Sequence, residues 1–252
     1  MEMRMLKTLL AGLAVWGLVL LPSVMAQLSA GDIAFVAYNT DGNDDFAWVA
    51  LSGIPAGTVI NFTDMSVSNG GFRLSEHFSS SFRGPLSWRC TNALEAGAVV
   101  RWIGGLPGAW SLGQSTGGAP VLSNEGDQLI AYCGVIATNV TFPVGWQGDA
   151  CGATLLHAIN FANSGWDNVT GGTTERSFVP PGLATNACTA LHISNKDNGY
   201  YSGPICGSKA ELLRAIACPT NWAVSDAEFQ TVYWTGETGF LVKPRGTVVV
   251  IK

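Results

Sequence analysis

Four acidic or amide side chains (Asp41, Asn43, Asp44 and Asp45) crowd five positions inside the stretch YNTDGNDDFAWVAL, which runs from Tyr38 to Leu51. Asp41, Asn43 and Asp45 stand at i, i+2 and i+4, so one tight turn offers three oxygen donors. Calcium takes six to eight oxygens, so such a run supplies part of a cage and leaves the remainder to another segment. An EF-hand counted from Asp41 needs Gly sixth and Glu twelfth, whereas Phe46 and Ser52 stand there. Asp64, closing the run GTVINFTD, is the natural further donor and Glu76 a weaker one. The expected metal set is therefore Asp41, Asn43, Asp45 and Asp64, with calcium as the ion. The competing expectation is a hairpin loop whose Asp and Asn side chains cap their own backbone. Paired carboxylates also hydrolyse glycosides, but nothing in the sequence marks one of these as an acid of raised pKa.

A second chemical pattern is GQSTG, residues 113–117, which matches the G-x-S-x-G nucleophile elbow. An elbow needs a strand before the serine and a helix after it, and PGAWSL and GAPVL form neither. Ser115 with His157 or His192 as base is the serine-hydrolase alternative; the three histidines show no metal spacing. Tryptophans provide a third pattern. Trp48 and Trp102 sit inside strand-like runs and belong to a core. Trp110, Trp146 and Trp166 lie in Gly-rich stretches and are the candidate platforms for a sugar ring or a protein partner. Asn61, Asn139 and Asn168 each open an N-x-Thr sequon.

The elements that must carry these residues begin after a leader. Arg4 and Lys7 precede a continuous apolar run from Thr8 to Leu21, Pro22 breaks it, and SVMA ends on Ala26. That is a secretory signal over residues 1–26, too short in its apolar run for the ~20 residues of a membrane span. The expected mature chain, residues 27–252, is a secreted or cell-surface (or periplasmic) protein with no span. It keeps 11 basic and 17 acidic residues, a net charge of −6, which excludes nucleic acid as a natural partner. It keeps four lysines, and lysine is a common guard against strand edges pairing between molecules. All six cysteines are in this part, and an even count in an exported chain points to disulfides. The expected pairs are Cys133–Cys151, Cys206–Cys218 and Cys90–Cys188.

Short apolar runs punctuated by Gly, Asn, Asp and Pro (DIAFVAY, FAWVAL, GTVINFTD, AGAVVRWIG, DQLIAYCGV, TLLHAINF, TALHIS, GTVVVIK) predict an all-β, antiparallel sandwich forming a single domain, elaborated over about 168–252. SKAELLRAIACP interrupts with one helix, about 208–217. Ser208 and Glu211 form a capping box, Leu212, Leu213 and Ile216 an apolar stripe, and Pro219 a stop. Residues 104–118 predict a long exposed loop. LSAGDIAFVAY and LSNEGDQLIAY echo one another over about one strand.

The order GDIAFVAYNTDGNDDFAWVAL, GTVINFTD, ALEAGAVVRW, LSNEGDQLIAY and CPTNWAVSD resembles the lamin-tail type of immunoglobulin-like domain found in exported bacterial proteins. The likeness covers roughly Leu28 to Phe161, with the NW pair at Asn221 and Trp222 as a tail feature. It implies an immunoglobulin-like sandwich serving as a binding or structural module, and carries no catalytic set. The functional expectation is an exported, non-catalytic structural or adhesive module. It would contact a surface or matrix protein or glycan, or pair with itself through strand edges. A carbohydrate-binding module using the loop tryptophans is the alternative.

Overall fold

The computed structural model describes residues 27–68, 71–72, 85–104, 108–118, 120–136, 152–167, 176–193, 196–227 and 239–244. The expected leader, Glu76, Trp146, Cys151 and the sequons at Asn139 and Asn168 lie outside them. In chain order the strands are β1 (Ile33–Asn39), β2 (Asp45–Ala50), β3 (Val59–Thr63), β4 (Val67–Ser68), β5 (Gly71–Phe72), β6 (Leu86–Arg89), β7 (Val99–Ile103), β8 (Ala109–Trp110) and β9 (Gln114–Gly117). There follow β10 (Gln128–Cys133), β11 (Thr154–Asn160), β12 (Ala190–His192), β13 (Asn198–Tyr201), β14 (Cys206–Ser208), the helix α1 (Lys209–Ile216), β15 (Trp222–Ser225) and β16 (Leu241–Lys243). The fold is the expected all-β sandwich with one short helix. One six-stranded sheet has the order β15-β13-β1-β2-β7-β8 and the other β12-β11-β10-β3-β6-β9. Within these two sheets all neighbours are antiparallel except β11 and β12, which are parallel, and β14 and β16 form a separate parallel pair.

The chain passes between the two sheets four times, at β2–β3, β6–β7, β8–β9 and β12–β13, and the first two crossings match. Trp48 through Phe62 leads from β2 to β3, and Trp88 through Trp102 leads from β6 to β7, forty positions later at both ends. Ile54 and Leu94 meet at the centre and exchange N–H···O bonds of 2.9 Å in both directions. Around them the bonds repeat: Gly57 N–H to Cys90 O (2.7 Å) mirrors Gly97 N–H to Ala50 O (2.6 Å), and Cys90 N–H to Thr58 O mirrors Ala50 N–H to Ala98 O, both 2.9 Å. Each crossing turns on a glycine with positive φ, 86° at Gly57 and 99° at Gly97, where L residues are strained. Trp48 and Trp88, the matching aromatics, meet edge to face at 4.9 Å in the core. A local two-fold thus pins the two sheets together with main-chain bonds and one aromatic pair.

Between the sheets Phe35, Phe46, Trp48, Phe62 and Trp88 are fully buried. A second apolar cluster, with Met65, Val67, Phe72, Ile130, Tyr132, Leu155 and Leu183, covers the other face of the β10–β11 sheet. The late segment therefore builds the sandwich, since β12, β13 and β15 extend its two sheets. The helix forms where expected. Ser208 accepts from Glu211 N–H and the Glu211 carboxylate accepts from Ser208 N–H, while Leu212, Leu213 and Ile216 are buried.

Three expectations are corrected. Residues 108–118 are not a loop alone, because β8 and β9 form there. Cys90, Cys133, Cys188, Cys206 and Cys218 are free thiols. Cys90 directly follows β6 and Cys188 lies two residues before β12, four strands away or about 19 Å at 4.8 Å per strand. A disulfide tolerates no more than about 7 Å between Cα atoms. Cys90 Sγ faces the main-chain oxygen of Asn92 at 3.0 Å instead. Cys206 and Cys218 flank α1, eight residues and about 12 Å long, and Cys218 Sγ bonds the Thr220 hydroxyl at 3.1 Å. Cys133 is likewise unpaired among the described residues.

Candidate functional site

The acidic loop between β1 and β2 is the richest polar cluster, and its acids divide into two groups. Asn198, Asn39 and Asp45 occupy one row across β13, β1 and β2, paired as Asn39↔Asn198 and Asn39↔Asp45. Tyr38 and Phe46, one position inward, point into the core, where Tyr38 stacks on Phe161 at 4.4 Å and Phe46 lies 5.0 Å from Phe62. Alternation along each strand then places the row on the opposite face. Asn39 Nδ2 donates to Asp41 O at 2.9 Å and approaches Asp45 Oδ2 at 3.4 Å. Asn198 Nδ2 donates to Asp41 Oδ2 at 2.7 Å and approaches Ser225 O at 3.3 Å. Asp45 Oδ1 accepts Gly104 N–H at 2.6 Å, which fixes the carboxylate. Gly104 has to be glycine, because a Cβ there would meet Asn43 O at 1.4 Å.

The second group faces the other way. The Asp44 carboxylate, on a residue with φ of 55°, accepts the Leu122 N–H near Asp64 and Asp45. Burial, with those two negative neighbours, pushes its pKa up to about 7. Asp64 Oδ2 accepts Val121 N–H at 2.7 Å. Asn43 is exposed. The expected set of Asp41, Asn43, Asp45 and Asp64 is therefore not brought together: Asp41 and Asp45 join amides from β1 and β13, Asp64 joins Asp44, and Asn43 turns to solvent. Among the described residues no group of three or more His, Cys, Asp or Glu side chains has metal-site geometry. Sequence reasoning missed Asn39 and Asn198; Asn39 ends a strand beside the acidic loop, and Asn198 is 159 positions away from it.

The other candidates are dispersed. Ser115 sits in β9, paired opposite Trp88, on an exposed outer strand. His157 is in β11 and His192 in β12, four and five strands away, about 19 and 24 Å. Neither can serve Ser115 as a base. Trp110 lies against Trp102, Phe62 and Phe46 at 5.1, 5.4 and 5.6 Å, and Trp166 packs on the second core. Both indole N–H groups are buried and both residues are half-buried, so each ring is partly packed against the core.

A cavity of about 610 Å³ opens beside the start of α1, lined by Leu51, Ser52, Ala96, Lys209, Leu213 and Val242 among others. Ser52 and Lys209 are 3.4 Å apart there. A base must be free to take a serine proton, and Lys209 is ion-paired with Asp32 at 2.5 Å. Asp32 also accepts from Ser52 Oγ and Ser29. Burial raises its pKa, and the bonds from Lys209, Ser52 and Ser29 outweigh that and hold it below the usual carboxylate range. This triad ties the helix to the first strand.

No protein-family model matches the chain, and no curated protein or solved structure does. The lamin-tail likeness therefore stands on the sequence motifs alone.

Proposed function

We propose that the chain is an exported, non-catalytic structural or adhesive module that recruits a surface or matrix partner, or a second copy of itself, by pairing strand edges. One observation carries this. The four outermost strands of the two sheets, β15 (WAVS), β8 (AW), β9 (QSTG) and β12 (ALH), contain no Lys, Arg, Asp, Glu or Pro. Soluble β proteins guard such edges with those residues, because an open edge offers a row of main-chain donors and acceptors to any strand. Each of the four has one hydrogen-bonded neighbour strand among the described residues. On β15, Val224 is 36% exposed. Static light scattering over a concentration series, on the secreted chain and on Val224→Lys, tests the proposal. The wild type is expected to associate with rising concentration or to retain an extracellular-matrix component, and the lysine variant to do neither. A wild-type chain that stays monomeric and retains no matrix component contradicts it.

A further inference from the structure

We infer that the cavity at the start of α1 is a binding site for a small aliphatic carboxylate, an anion with an apolar body, and that it works independently of the edge strands. Four stretches distant in sequence wall it: Leu51 after β2, Ala96 in the β6–β7 crossing, Leu213 on α1 and Val242 on β16. Main-chain bonds hold the walls in place. Phe240 N–H donates to Gly97 O and Leu241 N–H to Ile205 O, both at 2.8 Å, which seats the tail strand against the crossing. Gly31 admits the helix, because a Cβ there would meet Leu213 Cδ1 at 2.9 Å. Ala96 and Ala210 face the space with methyl groups only and leave it open. Its volume of about 610 Å³ falls within the range of small-molecule sites, which are mostly apolar with a few polar groups that fix orientation.

The charged groups of this cavity are cations. Beyond residue 26 the chain has four lysines. Two of them, Lys209 and Lys243, line this one cavity, and no Asp or Glu does. The register of β14 with β16 sets Lys243 opposite Ser208, so the two lysines are one strand spacing, about 4.8 Å, and one residue apart. Lys209 Nζ donates to Asp32 Oδ1 at 2.5 Å and lies 3.4 Å from Ser52 Oγ, and an ammonium has three donors. Lys243 is exposed at the rim and has no hydrogen bond or ion pair among the described residues, although Glu211 is near enough to feel its charge. Asp32 and Glu211 balance the two lysines from outside the cavity wall. Asp32 accepts from Ser29, Ser52 and Lys209, and Glu211 accepts from Ser208. An anion in the cavity therefore meets ammonium groups, while its apolar body covers Leu51, Leu213 and Val242. A cation would be repelled by the same groups, and a neutral lipid would leave them unanswered. Because the lysines are balanced and the rim is open, the charge contributes no more than an exposed ion pair does, and apolar burial supplies the remainder.

Titration of the secreted full chain with sodium octanoate, followed by amide NMR shifts, tests the site. One octanoate per chain is expected, with a dissociation constant on the order of 1 mM or tighter for a ligand of roughly ten non-hydrogen atoms. The shifts should centre on Ala210, Leu213 and Val242. The neutral alcohol 1-octanol should bind about fivefold more weakly, and octyltrimethylammonium more weakly still. Lys243→Met should weaken octanoate by about fivefold and leave 1-octanol unchanged, whereas Ala210→Trp should abolish both by filling the cavity. Both positions are exposed, and thermal melts matching the wild type show that the variants fold. If Ala210→Trp does not fold, Lys243→Met and the comparison of acid with alcohol decide the matter. The inference is overturned if octanoate causes no saturable shifts, if the shifts centre elsewhere, if 1-octanol binds as tightly as octanoate, or if Lys243→Met binds octanoate as well as the wild type.

Discussion

His157 is wholly buried between the two sheets, with its ring 5.7 Å from that of Phe35. Its Nδ1 faces the Phe35 N–H at 3.4 Å, a long contact, beside the register shift that interrupts β1 between Phe35 and Ala37. Burial pulls the pKa from 6.5 down to about 3; the Cys188 main chain beside the ring favours the charged form and does not offset it. Nε2 has no partner at hydrogen-bonding distance. The native state therefore holds the neutral ring, while the unfolded chain binds a proton below pH ~6.5. The stability that this provides is complete above pH ~6.5 and is lost as pH falls toward the native value. Each pH unit within that window removes about 1.4 kcal/mol, so about 2 kcal/mol is gone by pH 5. In His157→Gln a side-chain acceptor remains and the titrating group is gone. Urea unfolding of both proteins at pH 7.5 and pH 5 separates the effect from every other ionisable group. The wild type should lose about 2 kcal/mol more than the variant between the two pH values. Equal losses would refute the reasoning, for they would mean that the ring is charged or solvated in the native fold.

Two further outcomes follow from the same geometry. Asp44 has the opposite sign, since its raised pKa favours the protonated native state and stability declines as pH rises from about 4 through 7. Asp44→Asn should be more stable than the wild type at pH 8 and indistinguishable near pH 4, by thermal melts, with a gap that exposure of the loop to solvent reduces. Trp88→Ala removes one half of the central aromatic pair and opens the fully buried core, and denaturant titration should register a loss of about 3–5 kcal/mol.

Periodicity made the architecture legible, because strands that face a core on one side keep their apolar residues at fixed spacing. IAFVAYN, VINFT, QLIAYC and TLLHAIN all became strands. The helix was legible from its capping box, a local interaction written in four residues. The likeness of the Ser-Gly-Asp turns was also visible: Asp32 Oδ2 accepts Ser29 N–H before β1, and Asp127 Oδ2 accepts Ser123 N–H before β10. The matched crossings were hidden because the identical pairs Trp48/Trp88, Ala56/Ala96, Gly57/Gly97 and Val59/Val99 and the similar Ile54/Leu94 are scattered among unlike residues. The amide–carboxylate row was hidden for a different reason. Sequence proximity drew attention to Asn43, whereas strand register brings Asn198 beside Asn39, and register over that distance is decided only when β13 pairs with β1. Likewise Gly-rich surroundings suggested an exposed Trp110, but the short pairing of β7 with β8 folds the indole back onto Trp102.

The central claim is that an unguarded edge makes the contact, and amide hydrogen exchange of Trp222–Ser225 as a function of chain or partner concentration examines it most directly. Protection of these amides should climb with concentration while the interior strands, already bonded on both sides, show no change. Association that leaves β15 exchanging at its dilute-solution rate would contradict the account.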